Sequence, residues 1–234
     1  MSKLIERDRS IIPACDFDSL KKFEDIIKET AGIPEVGAYK IGATLGLTHG
    51  LPSLVKVARR HTNKPLIYDH QKAGTDIPDT GKAFMHMLRD AGINSIIIFP
   101  FTGPATQTAW IEAALEAGLN LICGGHMTHK NFIASDGGYI DDAAIDKIYS
   151  VAANMGITDF VVPGNKPEII EKIKKSLISN GIDPIFYSPG FVSQGGKISE
   201  ATKAAGSKWH AIVGRAIYES PNIKKEIEIL ISQL

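Results

Sequence analysis

Short apolar runs alternate with longer amphipathic stretches along the whole of this 234-residue chain. The first run, residues 10–16, is followed by residues 19–30, in which apolar side chains recur every three or four positions. Short apolar runs are typical of buried strands, and the second spacing is typical of helices. Because the alternation continues to the C-terminus, the pattern predicts a series of strand–helix units.

The same pattern predicts seven more strands and seven more helices. The strands are predicted over residues 36–42, 65–69, 95–99, 120–124, 159–162, 184–188 and 210–214, and the helices over residues 51–61, 80–91, 105–117, 141–155, 167–178, 199–205 and 220–234. Strands that alternate with helices pair in parallel through right-handed crossovers. Such units can form an open doubly wound sheet or a closed barrel, and eight of them favour the barrel. We therefore predict a single-domain α/β fold, a (β/α)₈ TIM barrel over residues 1–234.

The charge balance excludes several classes of partner. Lys and Arg number 26, and Asp and Glu number 26, so the formal net charge is zero and gives no general attraction for nucleic acid or an anionic membrane. No apolar stretch approaches the ~20 residues that span a bilayer, and the charged N-terminal residues lack a signal-peptide core. We expect a cytoplasmic protein. Cys15 and Cys123 lie inside apolar runs, which predicts buried thiols rather than a disulfide or metal site.

Polar residues at the predicted C-terminal ends of the strands are the candidates for chemistry, because a barrel of this kind builds its active site there. They are Asp16, Lys40, Asp69, Lys72, Asp76, His126, Thr128, His129, Ser188, Gln194 and Arg215. The histidines could in principle bind zinc together with His70. No cysteine or carboxylate is placed to complete a ligand set, so we expect loop histidines and no metal.

The segments after the last two predicted strands have the character of a phosphate site. Gly190, Gly195 and Gly196 follow one strand, and Gly214-Arg215 follows the other. Barrel enzymes often hold a substrate phosphate at this pair of loops, and arginine can add a bidentate contact. The alternative is that the glycines only make turns and the arginine is a surface charge.

Carboxylates and ammonium groups alternate around the third predicted strand. Asp69, Lys72 and Asp76 lie in one segment, and Lys40 ends the preceding strand. An ammonium held there could stabilise a developing carbanion and then protonate it. The charge pattern by itself favours a plainer alternative, a solvated cluster of salt bridges.

Taken together, the segments DHQKAGTDIPDT, SPGFVSQGG and AIVGRAIYES resemble the orotidine 5′-phosphate decarboxylase family. PACDFDS and YKIG are also similar to the family's first two strand ends, so the resemblance covers most of the chain. It implies decarboxylation of orotidine 5′-phosphate to UMP without a metal or organic cofactor.

The resemblance also implies roles for the charged residues. Lys72 would be the general acid that protonates C6 after CO₂ leaves, and Asp69 would lie close to the substrate carboxylate. Lys40 and Asp76 would complete an alternating array, with Asp76 contributed across the interface of a homodimer. Asp16 and Lys40 would hold the ribose hydroxyls. The spacing here is Asp-x-x-Lys-x-x-x-Asp, one residue longer in each gap than the family's usual pattern.

The remaining implied roles concern substrate binding. Thr128 takes the place of a family serine that hydrogen-bonds the pyrimidine. Gln194 and Arg215 would grip the phosphate, the loop around Gln194 would close as a lid, and Gly195 and Gly214 belong to the same phosphate-binding segments.

Two other functions remain open on the same barrel. A related magnesium-dependent decarboxylase or aldolase would act on a sugar phosphate such as 3-keto-gulonate 6-phosphate. Such relatives carry an acidic metal ligand where this chain has Lys40, which argues against magnesium. A non-catalytic sensor of phosphoribosyl ligands is the third possibility, and the shifted Asp/Lys spacing is its only support.

Overall fold

A computed structural model describes residues 3–70, 76–192 and 194–234, and within these ranges eight parallel strands close into a barrel. The strands are β1 (Arg9–Cys15), β2 (Tyr39–Ile41), β3 (Leu66–Asp69), β4 (Ser95–Ile98), β5 (Asn120–Gly124), β6 (Asp159–Val161), β7 (Ile185–Ser188) and β8 (Trp209–Val213). Each strand pairs with the next along the chain, and β8 pairs with β1. The prediction of a closed barrel rather than an open sheet is confirmed.

Helices alternate with the strands in the described part of the chain. They are α1 (Leu20–Thr30), α2 (Ala43–His49), α3 (Leu51–Ala58), α4 (Gly81–Asp90), α5 (Pro104–Glu116), α6 (Asp142–Asn154), α7 (Pro167–Ser179), α8 (Ile198–Ala205), α9 (Arg215–Tyr218) and α10 (Ile223–Ile231). Two short 3₁₀ turns cover Pro78–Thr80 and Ala134–Asp136. None of the helices described here is long and apolar enough to cross a membrane.

The helix boundaries differ from the predicted ones where local caps decide them. The segment predicted as one helix over residues 51–61 is preceded by a separate helix, α2, and Gly50 divides the two at φ 73°. The predicted C-terminal helix begins three residues late because the Asn222 side chain accepts a hydrogen bond from the Lys225 backbone N–H at 3.0 Å. Ser19 caps α1, its side chain accepting a hydrogen bond from the Lys22 N–H at 3.2 Å.

The barrel interior has an apolar middle layer with polar layers above and below it. The buried middle layer includes Ile12, Ile67, Ile97, Ile122, Val161 and Ile212, one from each of six strands. Successive strand residues face opposite sides of the sheet, so residues two apart along a strand share the interior. The apolar layer therefore separates a polar floor at the strand N-termini from the mouth at their C-termini.

The polar floor contains buried Ser10, Tyr187 and His210 and the partly buried Asp159. His210 is fully buried, and a 2.8 Å hydrogen bond joins its Nδ1 to Ser10 Oγ. The Tyr187 hydroxyl donates to Asp159 Oδ1 at 2.7 Å. Burial lowers the pKa of His210 to about 3 and raises the pKa of Asp159 above its usual range. Both groups are therefore held toward their neutral forms by desolvation.

Both cysteines are buried and unpaired, as the sequence predicts. Burial raises the pKa of Cys15 well above its usual range and raises the pKa of Cys123 to about 12. A buried thiol with a raised pKa is chemically inert, so these residues serve packing.

Candidate active site

A cavity of about 760 Å³ opens at the C-terminal ends of the strands. Most of the predicted site residues line it together, namely Asp16, Lys40, Asp69, Thr128, Gln194, Gly214 and Arg215. They come from strands on opposite sides of the barrel, and closure of the sheet brings them to one space. The fold thus gathers charged and phosphate-binding candidates that are distant in sequence.

The charged centre of the cavity is an ammonium held by two carboxylates. Lys40 Nζ lies 2.9 and 3.1 Å from the two carboxylate oxygens of Asp16 and 2.6 Å from Asp69 Oδ2. These side chains extend from the ends of three neighbouring strands, β1, β2 and β3. Parallel strands end at the same edge, so one amino group can bridge both acids.

Burial makes this charge arrangement strong and fixed. The side chains of Lys40 and Asp69 are 4% and 2% exposed, whereas that of Asp16 is 28% exposed. Burial opposes the charge on Lys40, but attraction to Asp69 and Asp16 outweighs it and raises the pKa of Lys40 above its usual range. Lys40 is therefore a permanent cation at neutral pH. It can orient and neutralise, but it is a poor proton donor.

The other two members of the predicted array are placed differently. Lys72 lies outside the described residues. Asp76 is exposed and lines a separate cavity of about 620 Å³, together with His70, Thr80, Ala83, Phe84, Met87 and Trp110. The structure therefore does not bring Asp76 to the Lys40 cavity of its own chain.

The phosphate side of the cavity is built by the end of β8 and the segment after β7. Arg215 is the exposed first residue of α9 and forms no ion pair with any described residue. Gly190 has φ 108°, and a Cβ there would lie 2.9 Å from Thr128 Cγ2. Gly195 has φ 83° and donates its N–H to the Val192 carbonyl at 3.0 Å, so it shapes the turn beside Gln194 without lining the cavity.

Tyr218 is a site residue that the sequence analysis missed. It lines the cavity one helical turn after Arg215, at the end of α9. Burial and the charge of Asp16 raise the pKa of Tyr218, so the phenol stays protonated and can donate a hydrogen bond. The spacing of Arg and Tyr in RAIY was the available signal, because residues three apart share a helix face.

Two side chains after β6, also missed, hold the segment that carries Thr128. Asn165 Nδ2 donates to the Thr128 carbonyl at 3.0 Å. Lys166 Nζ lies 3.2 Å from the Met127 carbonyl and 3.3 Å from the His129 carbonyl. Three successive carbonyls are thus held by hydrogen bonds from the segment after β6, and both Thr128 and Asn165 line the cavity.

Two sequence candidates have structural roles. Ser188 is fully buried, and its hydroxyl accepts a 2.8 Å hydrogen bond from Trp209 Nε1, so its candidacy for the cavity is wrong. His126 lines the cavity, but burial lowers its pKa and its Nδ1 lies 2.8 Å from the Met127 carbonyl. Among the described residues, no three His, Cys, Asp or Glu side chains are grouped to hold a metal ion.

Known proteins are similar to this chain in both sequence and fold. The family model described as orotidine 5′-phosphate decarboxylase / HUMPS matches residues 9–229. Orotidine 5′-phosphate decarboxylase of Methanosarcina mazei is 32% identical over 222 residues, covering 94% of this chain and 93% of the relative. That of Methanosarcina barkeri is 35% identical over 201 residues, covering 85% of this chain and 84% of the relative.

A solved structure gives the same result in three dimensions. Orotidine 5′-monophosphate decarboxylase of Methanocaldococcus jannaschii, complexed with the inhibitor BMP, is 25% identical and superposes with a TM-score of 0.83. The match covers 97% of this chain and 98% of that structure. The family match spans nearly the whole barrel and includes every cavity residue named above. This chain belongs to the orotidine 5′-phosphate decarboxylase / HUMPS family.

Proposed function

We propose that this protein decarboxylates orotidine 5′-phosphate to UMP without a metal or organic cofactor. The observation that carries the proposal is the Asp16–Lys40–Asp69 cluster, which shares one cavity with Arg215, a cation that forms no ion pair within the described part of the chain. The substrate has a carboxylate at one end and a phosphate at the other. The cavity offers a charged reaction centre for the carboxylate end and a separate anion-binding arginine for the phosphate end.

In the proposed reaction, the C6–carboxylate bond breaks, CO₂ leaves, and the electron pair stays on C6. Lys72 then transfers a proton to C6, which gives UMP, and solvent restores the proton to Lys72. No electron sink is needed if fixed charges lower the barrier. Lys40 supports this because its ammonium and its carboxylate partners are held in place before the substrate arrives. Asp69 would lie against the departing carboxylate.

The rest of the cavity would hold the nucleotide. Arg215, Gln194 and Tyr218 supply donors for the phosphate, with Gly195 and Gly214 shaping the backbone around it. Thr128 offers a hydroxyl to the pyrimidine. Binding energy from the distant phosphate can be used to orient the reacting end.

The position of Lys40 also favours this reaction over magnesium-dependent chemistry on a sugar phosphate. Its ammonium lies between the Asp16 and Asp69 carboxylates, the groups that would be expected to attract a divalent cation. Because like charges repel, a metal ion there would have to displace Lys40. We expect the activity to be insensitive to EDTA.

An ultraviolet assay of orotidine 5′-phosphate consumption, run with EDTA, tests the function. The parent is compared with Lys72→Ala and with Lys82→Ala, a control in which an exposed surface lysine is removed. We expect full activity in the parent and the control and almost none in Lys72→Ala. An inactive parent refutes the decarboxylase assignment, and an active Lys72→Ala variant refutes the role given to Lys72. Activity that EDTA abolishes would support the magnesium-dependent alternative.

We further propose that the protein works as a homodimer in which Asp76 completes the partner's site. Asp76 is exposed outside its own chain's cavity. Two apolar side chains near it, Ile77 and Met87, are 57% and 52% exposed. Exposed apolar groups around a charged residue suit an interface with a second copy of the chain.

Mixing two inactive variants tests this arrangement. The Asp76→Asn variant lacks the carboxylate that enters the partner's site, and the Arg215→Ala variant lacks the arginine that binds phosphate in its own cavity. In a mixed dimer, the Asp76→Asn subunit keeps Arg215 and receives an intact Asp76 from its partner. Random reassociation makes about half of the dimers mixed, each with one intact site, so about a quarter of parent activity should return. No recovery in dimers shown to be mixed would contradict the shared site.

A further inference from the structure

Two of the residues proposed to bind the phosphate, Arg215 and Tyr218, lie on a helix that is too short to be stable by itself. Arg215 is the first residue of α9 and Tyr218 is the last, and the helix has only four residues. A single turn has little intrinsic stability, because helix nucleation is unfavourable. The directions of these two side chains therefore depend on what packs against α9.

The Tyr218 ring has an aromatic neighbour from the first strand–helix connection. The Phe17 and Tyr218 ring centroids are 5.2 Å apart at an interplanar angle of 69°. This edge-to-face arrangement is a favoured geometry for two aromatic rings. On the barrel side, a Cβ at Gly214 would lie 3.4 Å from Tyr218 Cε1, so the space there is filled to ordinary contact distance.

Lys22 completes the enclosure of this ring pair. Its Nζ lies 4.9 Å from the Tyr218 ring centroid and 5.3 Å from the Phe17 ring centroid. Both distances are within the ~6 Å range of a cation–π interaction. Lys22 has no carboxylate partner among the described residues, whereas the adjacent Lys21 pairs with Asp25 at 2.5 Å.

We propose that Lys22 is a positioning residue for phosphate binding, acting through Tyr218. Its ammonium holds the two rings together and so fixes α9 against the first turn of α1. The Tyr218 hydroxyl and the Arg215 guanidinium then stay directed at the cavity. This role rests on the proposed function only in that the ligand carries a phosphate.

The test measures phosphate-dependent binding in matched variants. Lys22→Met keeps the stem and removes the charge, Lys22→Arg keeps a cation that can lie over the rings, and Lys21→Met is the control. We expect Lys22→Met to weaken UMP binding about three- to tenfold, from the usual strength of a cation–π contact. Uridine, which lacks the phosphate, should bind to Lys22→Met with the same affinity as to the parent. Lys22→Arg should restore UMP binding, and Lys21→Met should not change it.

Coupling through the ring is tested in a Tyr218→Leu background, where Lys22→Met should have less than about a twofold further effect. Three results would each overturn the proposal: equal weakening of UMP and uridine binding, failure of Lys22→Arg to restore UMP binding, or an undiminished effect of Lys22→Met in Tyr218→Leu.

Binding of ribose 5-phosphate separates this proposal from the proposed function. A parent that binds this ligand but does not consume orotidine 5′-phosphate refutes the decarboxylase, and the Lys22 comparison is then decided with ribose 5-phosphate. A parent that binds no phosphorylated ligand refutes both.

Discussion

Acid should unfold this barrel from its floor, through His210. The side chain is fully buried, and its Nε2 has no hydrogen-bond partner among the described residues. Burial lowers its pKa to about 3, against about 6.5 for histidine in an unfolded chain. Because the unfolded state takes up the proton first, the stability linked to neutral His210 is present above pH ~6.5 and is lost as the pH falls toward 3.

The size of this effect follows from the pKa difference. From pH 7.5 to pH 4.5 the unfolded histidine becomes protonated while the folded one stays mostly neutral. Two pH units below 6.5, at about 1.36 kcal/mol each, give about 2.7 kcal/mol of lost stability. That is a large share of the roughly 5–15 kcal/mol by which a folded protein is stable.

Urea denaturation at pH 7.5 and 4.5 measures the loss in three proteins. His210→Gln keeps an acceptor for Ser10 and cannot be protonated. His86→Asn, at a partly exposed position on α4, is the control. The pH-dependent loss should be about 2.7 kcal/mol smaller in His210→Gln than in the parent, and unchanged in His86→Asn. An equal loss in the parent and His210→Gln would refute the reasoning.

Three further predictions concern the cavity. Arg215→Ala should lower kcat as well as raise KM, with kcat/KM falling about 10²- to 10⁴-fold, because two charge-assisted hydrogen bonds are worth roughly 3–6 kcal/mol. Steady-state kinetics measure both constants, and an unchanged kcat would contradict this prediction. Lys40→Met should abolish turnover and lower the free energy of unfolding by about 3–5 kcal/mol, the usual cost of breaking a buried ion pair. A urea denaturation midpoint equal to the parent's would contradict the predicted loss of stability. Gly190→Ala should lose about 1–3 kcal/mol of stability and also kcat/KM, because its Cβ would press on Thr128. Gly118→Ala is its control, with φ 75° but open space around the Cβ, and should lose stability only.

The strand–helix order could be predicted from sequence because it depends on local periodicity. All eight predicted strands are present, and the run predicted over residues 120–124 matches β5 at both ends. Boundaries set by single hydrogen bonds or by a glycine turn could not be predicted in the same way. The cap at Asn222 was missed, and α2 was hidden because only Leu45 and Gly46 of its residues are buried.

The site was predictable to the extent that its residues carry charge at strand ends. Asp16, Lys40 and Asp69 were found in that way, and the structure joins them in one cluster. Tyr218 was missed because an aromatic residue after a strand more often packs than binds. Lys22 was missed because its interaction is with two rings, Phe17 and Tyr218, that meet only after the barrel closes.

The charge distribution of the cavity also determines which way a substrate can lie. Lys40 is already neutralised by two carboxylates, so it offers little net attraction to a third. Arg215 has no such partner among the described residues, so under the proposed function the substrate phosphate would be drawn to that side. In the proposed reaction, a substrate held there by its phosphate would place its carboxylate near Asp69, which lines the same cavity. Loss of CO₂ would then move negative charge away from Asp69 onto C6, where the proton from Lys72 would neutralise it. The resulting decrease in repulsion with Asp69 is absent in the bound substrate and grows as the carbon–carbon bond breaks. An interaction that favours the transition state over the bound substrate raises kcat and does not only tighten binding.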